Sequence, residues 1–240
     1  MKTLVTAALA LALLAPQPAL AGPSAHRAPA ARESGHVRLD GVDVRLRDGT
    51  RQVVTANRTR GYHARITWWV KGRDGWHKQM RAADGRIGYG GLVAGARRHQ
   101  GTGTTPLGTY GLLSVFGTHP RRDAGALDYR RIRRGDHWVQ DNASPHYNRY
   151  RNQRQGGFRW WLPSSDPNSS ERLTDYRRPY EWSIVTGFNV EQVRHRGSGI
   201  FLHVNGRGAT AGCVSAPRRF LGALVRRLDP AAAPVIAIGR

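Results

Sequence analysis

Cysteine is almost absent: Cys213 is the single thiol in 240 residues. A lone cysteine closes no internal disulfide and cannot build the multi-cysteine sites that hold structural zinc. It is a buried hydrophobe, an intermolecular link or a reactive group. The ten histidines show no paired metal-ligand spacing, so no metal and no other cofactor is expected. Acids are few, 16 against 38 lysines and arginines, and 35 of those bases are arginine, which gives a formal net charge of +22. Such a field draws polyanions, but the arginines are spread along the chain instead of gathering on one element, and nucleic acid is not an expected partner. Long apolar runs are missing too. The one at the start, Leu4 to Ala15, falls short of the roughly 20 residues of a membrane-spanning helix. The glycines at 101 and 103 are not followed by the Gly-Lys-Ser/Thr of a phosphate-binding loop, which removes the sequence basis for nucleotide binding.

What is present begins with Met1-Lys2-Thr3, the short apolar run and Ala19-Leu20-Ala21 before Gly22, the layout of a cleaved export signal over residues 1–21. The expected location is therefore secreted or in the cell envelope. Residues 22–35, rich in Pro, Ala, Ser and Arg, read as a flexible leader. A single mostly-β domain is expected over 36–240. His36 to Arg47 alternates about Asp40-Gly41 as a hairpin, and further strands are expected at 65–70, 110–116, 182–188, 199–204 and 235–238. Residues 118–178 break the pattern, and this long aromatic-bearing insertion is expected to form a lid or one wall of a groove. One helix is expected after Cys213, capped by Ser215, with Pro217 in its first turn, Phe220, Leu221, Leu224, Val225 and Leu228 on one face, and Pro230 beyond its end.

The segment from Ile200 to Ser215 carries the chemistry. A strand delivers His203, a glycine-rich loop turns back, and Cys213 follows just before the expected helix. A free thiol with pKa near 8.5 is only about 3 per cent thiolate at pH 7, so a nucleophile needs a base or a positive field. The spacing offers both, an imidazole and a helix start, and on that basis the sulfur is expected to titrate well below a free thiol. The Gly212 and Cys213 N–H groups are candidates for an oxyanion hole. The same spacing also fits a packed His–Cys pair without chemistry.

His203-Val204-Asn205-Gly206-Arg207-Gly208-Ala209-Thr210-Ala211-Gly212-Cys213-Val214-Ser215 resembles the active-site signature of the L,D-transpeptidase (YkuD-type) catalytic domain. Gly101 to Tyr110 is similar to that family's G-x-x-x-T-P-x-G-x-Y strand, Gly85 to Gly95 to the strand before it, and Val235 to Gly239 to its last strand. The resemblance implies a YkuD-like β-sandwich or barrel, Cys213 as nucleophile and His203 as base. It also implies support from the Val204 carbonyl, Thr210 and Gly212, and peptidoglycan stem peptides as substrate; the positive charge of an exported chain adds anionic wall polymers as an expected partner. The reaction implied is transfer of a stem peptide through a thioacyl-enzyme. The alternatives are carboxypeptidase or endopeptidase action on the same fold, or a non-catalytic wall-binding module. Ser215 stands where the family has Arg, and Ala211 where it has His, the mark of a divergent branch. Asp136, Trp138, Tyr147 and Asn148 in the insertion are the expected substrate contacts of that branch.

Overall fold

The computed structural model describes residues 33–240; the expected export signal and all but the end of the expected leader lie outside the described residues. In chain order the strands are β1 (Glu33–Leu39), β2 (Val42–Arg47), β3 (Gln52–Arg58), β4 (His63–Gly72), β5 (Gly75–Arg86), β6 (Leu92–Ala94), β7 (Thr105–Gly117), β8 (Tyr129–Arg131), β9 (Asp136–Trp138), β10 (Tyr150–Asn152), β11 (Glu171–Arg172), β12 (Trp182–Thr186), β13 (Phe201–Val204), β14 (Val214–Ala216) and β15 (Val235–Gly239). The one α-helix among the described residues, α1, spans Arg218–Val225. Strand β1 already begins at Glu33, so the last residues given to the leader belong to the folded domain.

Eight strands close into a barrel in the order β12-β13-β14-β5-β4-β3-β15-β7, and β7 pairs back onto β12. All contacts in the ring are antiparallel except β13 with β14 and β15 with β3. The weakest seam is β14 to β5, a single pair at Ser215 and Arg86. Alternation along the strands sorts side chains between two faces. Val54, Ala56, Ile66, Ile184, Leu202, Val214, Ile236 and Ile238 join the apolar face of α1 in one core. On the opposite face, Val53, Val235 and Ala237 are covered by Leu39, Val42 and Val44 of the β1–β2 hairpin. That hairpin turns at Asp40 and Gly41, both at positive φ as a tight two-residue turn needs. The Asp40 carboxylate is held by Arg65 at 2.6 Å and Arg81 at 2.9 Å, which lowers its pKa and ties the turn to β4 and β5.

The expected helix exists but starts later. Ser215 lies in β14, where pairing with β13 and β5 satisfies its backbone, and Pro217 occupies the N-cap without a side-chain hydrogen bond. The apolar face is as read: Phe220, Leu221, Leu224, Val225 and Leu228 are buried, each contributing about 1.5–3 kcal/mol of gross burial. The insertion is not irregular. It carries β8, which pairs with β7 in parallel, and a small sheet of order β10-β9-β11. Its apolar residues Trp138 and Leu173 pack with Phe116, Val185, Phe201, Tyr180 and Cys213 on the outer face of β12 and β13. No helix among the described residues is long and apolar enough to cross a membrane.

Candidate active site

Cys213 arrives through a backbone crossing with no spare room. Gly212 sits at φ 131°, and a Cβ there would fall 2.8 Å from the Arg98 guanidinium and 2.9 Å from Thr104 O. At Gly88 a Cβ would lie 2.0 Å from Gly103 O and 2.9 Å from Gly212 Cα. Both positions therefore need glycine. Thr105 pins the crossing: its hydroxyl accepts from Gly88 N at 2.8 Å and donates to Gly212 O at 2.7 Å. Thr210 pins it from the other side, donating to Cys213 O at 2.6 Å and accepting from Gly212 N at 3.2 Å. In this arrangement the Gly212 N–H, one of the two expected oxyanion donors, is turned to the Thr210 hydroxyl.

The parallel register of β13 and β14 sets Leu202 opposite Val214 and His203 opposite Ser215. Because Leu202 and Val214 point into the barrel core, Phe201, His203, Cys213 and Ser215 fall on the other face. The sequence pair is thus brought to one wall, about one strand repeat apart along the chain direction. His203 Nδ1 lies 2.8 Å from Val204 O. A carbonyl only accepts, so Nδ1 holds the proton and Nε2 keeps its lone pair. Ser215 does not touch the sulfur; its hydroxyl donates to Asn205 Oδ1 at 2.7 Å.

The electrostatics differ from the expectation of a stabilised thiolate. The sulfur donates to Gly199 O at 3.1 Å and accepts from Phe201 N at 3.4 Å. No helix amide reaches it, since β14 separates Cys213 from α1. Burial, with the Glu171 carboxylate adding to it, pushes the Cys213 thiol up to about 12, against the weaker opposing pull of Phe201 N–H and Arg98. Burial likewise drives His203 down to about 4, with the bond to Val204 O opposing. At neutral pH both groups are uncharged.

Three residues the sequence reading passed over complete the wall. Tyr180 packs with Cys213 and sets its ring 5.4 Å from the His203 ring, edge on. Its hydroxyl donates to Glu171 Oε1. Arg98, 5 % exposed, donates from Nε to Thr104 O at 2.7 Å and from Nη1 to Arg196 O at 3.2 Å, and lies over the Phe188 ring. Buried tyrosine and arginine at a groove are visible only once the fold is known; the Thr105-Pro106 motif was the one sequence signal pointing here.

The groove in front of these residues encloses about 1040 Å³. The insertion lines it as expected, but through His137, Gln140, Gln153, Trp160, Trp161 and most of the stretch from Leu162 to Arg172. The four residues expected to touch substrate lie behind the wall. Asp136 is satisfied by Arg133 N, the Tyr150 hydroxyl and Asn152 Nδ2. Tyr147, fully buried, donates to Gln100 Oε1 and accepts from Gly197 N. Asn148 accepts from Trp138 Nε1 at 2.9 Å and Gly199 N at 3.0 Å, and donates to Phe188 O and Asn189 O. Polar atoms this deep must find partners inside the protein; Tyr147 and Asn148 find theirs partly in the segment that carries Gly199, the acceptor of the thiol. They brace the site and do not face the groove.

Among the described residues no three His, Cys, Asp or Glu side chains gather as a metal site would require. Neither the curated proteins nor the solved structures contain a match to the chain. The family model of the L,D-transpeptidase catalytic domain (YkuD) matches residues 51–236. The matched span runs from just before β3 into β15 and encloses Thr105, His203 and Cys213, and by that match the chain belongs to the L,D-transpeptidase catalytic domain family.

Proposed function

We propose that the protein is an exported L,D-transpeptidase that transfers peptidoglycan stem peptides through a thioester on Cys213, with His203 as general base. The observation that carries this reading is the bare Nε2 of His203, fixed by the Nδ1 bond to Val204 O, on the same groove wall as the single thiol. Since neither group is charged at rest, the thiolate forms within the reaction. The thiol leaves Gly199 O, passes its proton to Nε2 and attacks the peptide carbonyl. The Cys213 N–H, joined by Gly212 N–H once the Thr210 hydroxyl gives it up, receives the developing oxyanion. The C–N bond breaks as His203 returns the proton to the leaving amine. An acceptor amine then attacks the thioester, its proton moves through His203 to sulfur, and the new peptide bond frees the enzyme. Export rests on the N-terminal signal.

The test is incubation with defined tetrapeptide muropeptides, followed by mass spectrometry of protein and products. A mass gain on Cys213 and cross-linked product are expected from the wild type and neither from Cys213→Ala. Turnover by Cys213→Ala would end the proposal, and release of free tripeptide alone would reassign the enzyme as a hydrolase.

A further inference from the structure

Glu171 is an acid without a base. Asp40, Asp141, Asp175 and Glu181 each hold at least one arginine. In a chain with 35 arginines, Glu171 holds none among the described residues, and its hydrogen bond from Tyr180 is the one it makes. Its neighbour Arg172, on the same groove, is engaged by Asp175 at 2.9 Å and makes no ion pair with Glu171. Glu171 lines the same groove as Cys213 and His203, and Tyr180 ties it to both: the hydroxyl to the carboxylate, the ring edge to the imidazole and packed against the sulfur. The groups coupled to it are Tyr180, Tyr176 and the Cys213 thiol, none of which is a cation, and of the arginines on the same groove Arg98 is held by Thr104 O and Arg196 O and Arg172 by Asp175.

We infer that Glu171 is the residue that receives the acceptor substrate's ammonium and takes its surplus proton before the thioester is attacked. The inference rests on the thioacyl mechanism proposed above. A primary amine reaches the enzyme at neutral pH as R–NH₃⁺, which has no lone pair. His203 cannot take that proton and also shuttle the one released when the amide forms. Glu171 supplies the second site: the carboxylate pairs with the ammonium, accepts one proton and leaves R–NH₂. The amine nitrogen then bonds to the thioester carbon, the C–S bond breaks, and the proton lost from nitrogen passes through His203 to sulfur. Glu171 afterwards returns its proton to solvent. Burial raises the carboxyl to about 7, against the lowering bond from Tyr180, so it changes charge in the range where such a base works. A water molecule needs no such partner, because it arrives neutral and His203 suffices for it.

The experiment compares two acceptors on the full chain acylated at Cys213: a lysine-bearing peptide amine, cationic at neutral pH, and hydroxylamine, which is already neutral. Glu171→Gln keeps the shape and an oxygen to accept from Tyr180. The ratio of peptide-amine to hydroxylamine product is expected to fall about tenfold or more. Tyr180→Phe removes the bond that lowers the carboxyl, so use of the cationic acceptor should shift to higher pH while hydroxylamine use does not follow. An unchanged ratio in Glu171→Gln, or a fall confined to hydrolysis, overturns the inference while leaving the thioacyl mechanism standing. Absence of a thioacyl-enzyme in the wild type overturns the mechanism and the inference together.

Discussion

His203 and Cys213 titrate in opposite directions for one cause, burial, and each sets a limit on stability. For His203 the folded pKa of about 4 lies below the ordinary 6.5, so the unfolded chain binds the proton first. The contribution is present above pH 6.5 and is lost as pH falls toward 4, with a ceiling of about 3 kcal/mol. His203→Gln should flatten that part of the curve, as urea unfolding at a series of pH values would show. For Cys213 the folded value of about 12 lies above the ordinary 9, so stability should decline as pH rises beyond 9. Alkylation of the resting thiol by iodoacetamide should accordingly be slower at neutral pH than that of a free cysteine and should climb into the alkaline range; a plateau near pH 7 would contradict the neutral pair. Thr105 offers a third check at this scale. Thr105→Val strands the Gly88 N–H and releases the Gly212 carbonyl, at a cost of about 2–3 kcal/mol with loss of turnover, measurable by thermal unfolding beside product formation.

At the scale of elements, the insertion divides into a buried brace and an exposed rim. Asn148→Ala removes four hydrogen bonds at once from a residue held at φ 56°. It should cost about 2–4 kcal/mol and depress both turnover and the orderly reactivity of Cys213. Trp161 is 63 % exposed on the groove rim. Trp161→Ala should leave the unfolding temperature unchanged and raise KM about tenfold, and equal effects of the two substitutions on stability would erase the distinction. The strands legible in the sequence were those with β-branched and aromatic runs between glycine turns, such as 110–116 and 235–238. Strand β5 was not legible because half of its residues are exposed and nearly all of those are polar, and β14 because three residues before Pro217 carry no period. Its presence displaced the helix start and with it the field expected at the sulfur. The nucleophile and base were legible as a local pattern. Glu171, Tyr180 and Arg98 were not, since each reaches the groove from a different part of the chain.

Across the whole molecule, the feature with the widest reach is the placement of β15 between β3 and β7, parallel to one and antiparallel to the other. During synthesis the ribosome releases β3 and β7 long before their common neighbour exists, and the barrel remains an open sheet with two unpaired edges until residues 235–239 emerge. A chain in that condition has no closed core to lock and exposes strand edges open to edge-to-edge association. Closure of the barrel therefore comes late in folding, and its many distant contacts make it slow. For a protein proposed to be exported, late closure is compatible with passage as an unfolded polypeptide.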